Sequence, residues 1–166
     1  MAETITILLA EDHRLVREGL RALLHTEPDF KVIGETGDGL DTLRLAEELQ
    51  PDVVVTDLIM PGLTGLQVAR RLRQRLPKTK VVLLSIHNRE AYVIEALQNG
   101  ASAYVLKDAS GADLVHAVRE ALAGRRFLSP PLSEAVQAFL KRVKTTGNPD
   151  PYERLSSREH EVLQLA

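Results

Sequence analysis

Five polar residues stand where short apolar runs end. Glu11 and Asp12 follow Ile5–Ala10, Asp57 follows Val53–Thr56, Ser85 closes Val81–Ser85, and Lys107 follows Ala103–Leu106. Three carboxylates, a hydroxyl and an ammonium gathered at one rim would suit phosphoryl chemistry. Crowded carboxylates repel one another and burial penalises their ionised forms, so at least one pKa must rise unless a cation intervenes. All-oxygen donors favour Mg2+, which keeps several waters and binds through one or two carboxylates plus phosphate oxygens. Asp57 would then be the acceptor, its carboxylate attacking phosphorus to form an acyl phosphate. Lys107 would compensate the added charge, and Ser85 would donate to a phosphate oxygen. Taken singly, each residue has a plainer role: Asp57 can cap the following helix and Lys107 can end a strand at the surface. His13 reads as an exposed or capping residue at a helix start rather than as a ligand. The joint occurrence at four strand ends is what points to a site.

The elements that would gather these residues follow from periodicity. The runs Ile5–Ala10, Lys31–Glu35, Val53–Thr56, Val81–Ser85 and Ala103–Leu106 are of strand length and rich in Val, Ile and Leu. Val53-Val54-Val55 and Val81-Val82-Leu83-Leu84 do not alternate with polar residues, as expected of strands buried on both faces of a parallel sheet. Between them lie five segments of helical period, carried by Val16, Leu20 and Leu23; Leu40, Leu43 and Ala46; Ala69, Leu72 and Leu76; Val93, Ile94 and Leu97; and Leu114, Val118 and Leu122. Pro28-Asp29, Pro51-Asp52, Pro77, Asn99-Gly100 and Ala123-Gly124 punctuate the ends. Five βα units with short right-handed crossovers predict an α/β, doubly wound parallel sheet over residues 1–124. In such a sheet, ligands sit beyond the carboxyl ends of the strands, where the five polar residues fall.

Composition bounds the rest. The chain has 166 residues, 44% hydrophobic and 27% charged, which excludes disordered, collagenous and coiled-coil classes. It has no cysteine, so disulfides, thiolate ligands and cysteine nucleophiles are excluded, and a reducing, cytoplasmic setting is expected. No apolar run approaches the length of a membrane span, and the N-terminus has no secretory pattern. Residues 1–124 carry fourteen Lys/Arg against eighteen Asp/Glu, and residues 125–166 carry seven against five. That asymmetry fits an acidic regulatory domain followed by a basic part, though a small basic excess is also ordinary solvated surface.

Residues 1–124 resemble the receiver domain of a two-component response regulator. The resemblance rests on Ala10-Glu11-Asp12-His13, on Asp57 to Gly65 (DLIMPGLTG), on Leu84-Ser85, and on Gly100 to Lys107 (GASAYVLK). It implies a flavodoxin-like sheet of order 2-1-3-4-5 and phosphorylation of Asp57 by a sensor histidine kinase. It also implies Mg2+ held by Asp12, Asp57 and the Ile59 carbonyl, with Glu11 acting through water, and Lys107 on the phosphoryl group. Ser85 would move toward the phosphate and Tyr104 would change rotamer with it, while Ile59 and His87 occupy positions that tune autodephosphorylation in the family. Glu11 stands where an aspartate is commoner. Such a protein is not an enzyme with an external substrate; it catalyses only its own phosphoryl transfer and slow dephosphorylation.

Beyond Gly124, residues 125–154 read as a linker containing an amphipathic helix over 132–144, with Leu132, Val136, Phe139, Leu140 and Val143 as its apolar stripe. That stripe would pack on the receiver or on a second protomer. Residues 155–166 have capping-box spacing at Ser156–Glu159 and resemble the first helix of a LuxR-type helix-turn-helix domain. The resemblance is to the NarL/FixJ class, and it implies a homodimer on phosphorylation and DNA as partner of a full-length protein. A chain without the recognition helix is expected to lack specific operator binding.

Three other readings fit less well. A phosphatase of the haloacid-dehalogenase type would place its aspartate after the first strand. A flavodoxin would not put Glu11-Asp12 beside a flavin phosphate. A phosphorylation-independent pseudo-receiver acting as an interaction module would lack part of the acidic, hydroxyl and lysine set.

Overall fold

Strands and helices alternate along the chain as the periodicity requires. The computed structural model describes residues 3–130 together with Leu132 and Val136. In order the elements are β1 (Ile5–Ala10), α1 (Arg14–Leu24), β2 (Phe30–Thr36), α2 (Gly39–Leu49), β3 (Val53–Asp57), α3 (Gly65–Arg75), β4 (Lys80–Ser85), α4 (Glu90–Gln98), β5 (Ala103–Leu106), α5 (Gly111–Leu122) and β6 (Phe127–Leu128). All neighbouring strands are parallel and the sheet order is β2-β1-β3-β4-β5-β6. This is the flavodoxin-like receiver architecture expected from the sequence, with one strand more.

The added strand lies inside the stretch read as linker. Phe127 pairs with Ala103 and Leu128 with Tyr104. Strand β5 would otherwise present a row of unpaired amides and carbonyls along its open side, and a two-residue strand is enough to take some of them. Its shortness hides it from any reading based on alternation.

Alternate residues of each strand feed two cores, because successive side chains leave opposite faces of a sheet. Ile7, Leu9, Val53, Val55, Val82, Leu84, Ala103 and Val105 pack under α1 and α5. Leu8, Val54, Leu83 and Tyr104 pack under α2, α3 and α4. Strands with apolar residues on both faces are thereby fully buried in the middle of the sheet. Leu132 and Val136, two members of the predicted stripe, are helical in conformation and buried in the second core. The remaining residues of the predicted helix 132–144, the linker after it and the predicted helix 155–166 lie outside the described residues. Among the described residues no helix is long and apolar enough to cross a membrane.

Candidate phosphoacceptor and metal site

Beyond the ladder that pairs Ala10 of β1 with Thr56 of β3, backbone bonds join the carboxyl ends of β1 and β2, of β3 and β4, and of β4 and β5. The Glu11 amide donates to the Thr36 carbonyl at 2.9 Å, Leu58 to Leu84 at 2.9 Å, and Lys107 to Ser85 at 2.9 Å. The side chains of these strand ends therefore share one rim. Glu11, Asp12, His13 and Asp57 each offer a ligand atom, and these atoms lie within 4.8 Å of one another. Lys107 reaches in from β5, its Nζ 3.0 Å from Asp57 Oδ2 and 3.1 Å from Glu11 Oε2.

Charge is arranged unevenly over this cluster. Burial raises the Asp57 pKa above the ordinary carboxylate value, and the nearby Glu11 charge adds to that; bonds from Lys107 and from the Ile59 amide only partly offset them. Burial also works against ionised Glu11, but the His13 amide and ring and the Lys107 ammonium outweigh it and hold its pKa below the usual value. Both His13 groups bond the same oxygen, Oε1, the amide at 3.1 Å and Nδ1 at 3.0 Å. Burial disfavours the charge on Lys107, yet its two carboxylate partners prevail and raise its pKa. An ionised Glu11, a buried Asp57 and a firmly protonated Lys107 result.

Each residue singled out in the sequence is placed at or beside this rim. Asp57 does not cap α3: Thr64 does, accepting from the Gln67 amide at 3.2 Å while Gln67 Oε1 accepts from the Thr64 amide at 2.9 Å. Asp57 is thus left for other work. Asp12 is partly exposed at the rim, and the Ile59 side chain is exposed on the loop after β3. Ser85 Oγ accepts the His87 amide at 2.9 Å, and the buried Tyr104 donates its hydroxyl to the His87 carbonyl at 2.8 Å. Burial pushes the Tyr104 pKa up to about 12, so the hydroxyl stays a donor at any physiological pH.

Two features were not read from the sequence. His87 joins Ser85 to Tyr104 through its backbone while its ring stacks on Tyr92 with centroids 4.7 Å apart. Leu15, Ile59 and Ile86 stand exposed at 82%, 61% and 76% on segments that border the rim. Isolated apolar residues in three separate loops and helix starts carry no periodic signal.

The donor set fits a hard divalent cation. Three carboxylates converge beside Lys107, one of them with a pKa raised by burial, and such a cluster is relieved by a cation that prefers oxygen. Residues 7–119 match the model of the response regulator receiver domain. The chain belongs to the response regulator receiver family. Over 163 residues, 98% of this chain and 75% of its relative, it is 38% identical to the nitrate/nitrite response regulator protein NarL of Escherichia coli. It is 37% identical to the transcriptional regulatory protein LiaR of Bacillus subtilis, covering 97% of this chain and 75% of that one. Among solved structures, a LuxR-family two-component response regulator from Aurantimonas sp. SI85-9A1 superposes with a TM-score of 0.79 at 37% identity, covering 85% of this chain and 99% of that one. A receiver of the NarL/LuxR type is the regulatory part of a two-component transcriptional regulator, and the carboxylate cluster at its rim is one that could hold a metal.

Proposed function

We propose that Asp57 accepts a phosphoryl group from a phosphohistidine of a sensor histidine kinase, and that residues 1–124 thereby switch a DNA-binding regulator. The observation that carries this is the Lys107 ammonium 3.0 Å from a buried Asp57 carboxylate that caps no helix, with Glu11 and Asp12 alongside. In the transfer an Asp57 oxygen forms a bond to phosphorus, the phosphorus–nitrogen bond of the donor breaks, and the leaving imidazole takes a proton. Asp12, Asp57 and the Ile59 carbonyl are the groups that would hold Mg2+, with Glu11 acting through water. Bound there, the ion would neutralise charge between the phosphoryl oxygens and the carboxylates. Lys107 follows the phosphoryl oxygens as a point charge. Ser85 gives up the His87 amide to donate toward the phosphate, which disturbs the His87 carbonyl that holds Tyr104. Exposed Leu15, Ile59 and Ile86 supply apolar side chains on which a protein donor can dock.

Residues 125–154, which begin by adding β6 to the sheet, would lead to a LuxR-type helix-turn-helix domain opened by residues 155–166, through which a phosphorylated homodimer would engage DNA. The test is intact-mass analysis after incubation with a small phosphodonor and Mg2+. One adduct of phosphoryl mass on the wild type, abolished by Asp57→Asn and by chelator, is expected. A folded wild type that gains no adduct would overturn the assignment and leave a phosphorylation-independent interaction module.

A further inference from the structure

The segment after α5 is bonded to the strand that delivers Lys107. Phe127 turns toward α5, its ring 5.0 Å from that of His116, and Leu128 packs against the core on the α4 side. Ser129, only 1% exposed, then makes two bonds to β5. Its amide donates to the Tyr104 carbonyl at 3.2 Å, and its Oγ accepts the Leu106 amide at 3.0 Å. Leu106 immediately precedes Lys107, and Tyr104 is the residue whose hydroxyl answers to the Ser85 loop. Leu132 and Val136, 2% and 3% exposed, anchor the segment among core residues shared with α4.

We propose that Phe127–Pro130, with Leu132 and Val136, is a strap on the edge of β5 that is docked when Asp57 is unmodified and loosened when Asp57 is phosphorylated, with Ser129 as the positioning residue that couples the two. The inference rests on Asp57 being the phosphoacceptor. In the unmodified chain the Lys107 ammonium is drawn in between Asp57 Oδ2 and Glu11 Oε2. A phosphoryl group on Asp57 moves the negative charge outward, and the ammonium follows it. The Lys107 amide is tied to Ser85, so the displacement falls on the neighbouring peptide, whose other tie is the Leu106–Ser129 bond. Hydrogen bonds weaken steeply once misaligned. On its other side β5 is held by a four-residue ladder to β4, whereas β6 offers only two residues, so the strap is the side that yields. Coupling is reciprocal for equilibrium binding: whatever a phosphoryl mimic does to the strap, weakening the strap does by the same factor to the affinity for the mimic.

The experiment uses the whole chain, Mg2+ and beryllofluoride as a reversible phosphoryl mimic, with wild type, Ser129→Ala and Ser129→Thr. Amide exchange at Phe127, Leu128 and Ser129 should accelerate about fivefold on saturation, the scale of one neutral hydrogen bond, while β1 stays protected. Ser129→Ala should bind beryllofluoride about fivefold more tightly, and Ser129→Thr, which keeps the hydroxyl, should return to the wild-type affinity. Unchanged or slowed exchange in the loaded wild type overturns the strap, whatever the variants do. Equal affinities for wild type and Ser129→Ala overturn the role of Ser129. Beryllofluoride binding and a phosphoryl adduct without any strap response sink this inference alone, whereas absence of both on the wild type sinks the Asp57 reading and this one with it.

Discussion

At the scale of single residues, the rim works through opposed shifts on neighbouring carboxylates. Burial raises the Asp57 pKa while its neighbours lower that of Glu11. A carboxyl whose pKa is higher in the native state than the unfolded value of about 3.9 binds its proton more tightly when folded, so stability is lost as pH rises through that window. Ionised Asp57 therefore costs stability at neutral pH, and Asp57→Asn removes the cost. In chelator, we expect the variant to melt above the wild type at pH 7, and the two curves to converge as pH falls to the unfolded carboxylate range of about 3.9. Thermal melts across that range check it, and a variant that melts below wild type at pH 7 would refute it. Glu11, with its depressed pKa, adds stability above its unfolded value and loses it on acidification, and because it shares Lys107 with Asp57 its contribution changes together with that of Asp57 in the variant. The residue types at the rim were legible because apolar runs announce where parallel strands end. The His87 backbone joining Ser85 to Tyr104, and the His13 ring on Glu11, were not, because hydrogen bonds made by the backbone or by a neighbour two residues away leave no mark in residue type.

At the scale of elements, the approach of α3 to the loop after β3 holds Asp57 in place. The Gly65 amide donates to the Leu58 carbonyl at 2.7 Å, and Thr64 with Gln67 closes the helix start. A Cβ on Gly65 would run into the Asp57 carbonyl oxygen, which is backbone and cannot step aside. Gly65→Ala should therefore destabilise the chain by about 1–3 kcal/mol and slow phosphoryl uptake by moving the acceptor, despite the better helix propensity of alanine. Denaturant melts and adduct formation over time measure the two effects, and an alanine variant at least as stable as wild type would show that the loop has slack. The five strands and five helices expected from periodicity are all present, and their ends moved by a residue or so: β2 gains Phe30 and Thr36, β3 takes in Asp57, and β4 takes in Lys80. Strand β6 was invisible because two residues cannot display a period. Its formation is decided by the open edge of β5, a tertiary fact.

At the scale of the whole molecule, a sheet buried on both faces pays for a polar rim. Two apolar cores hold the strands in register, and the strand ends carry groups that would not choose each other's company in isolation: a fully buried glutamate, a buried aspartate and a rim aspartate beside one lysine. Local violations of the rules that stabilise a fold are expected where a ligand completes the arrangement. The missing charge is positive, because three carboxylates gather at the rim and one ammonium reaches two of them. A cation that binds the native rim and not the unfolded chain must then stabilise the entire domain by mass action, by about 2.7 kcal/mol at a hundred times its dissociation constant. For a chain of this length that corresponds to roughly 5–10 °C in Tm. We expect the wild-type Tm to climb steadily with the logarithm of Mg2+ concentration, and the slope to collapse in Asp12→Asn and Asp57→Asn, while a monovalent salt at matched ionic strength leaves all three unmoved. Parallel slopes in wild type and both variants would place the ion elsewhere, and the three-carboxylate rim would then be balanced by Lys107 alone.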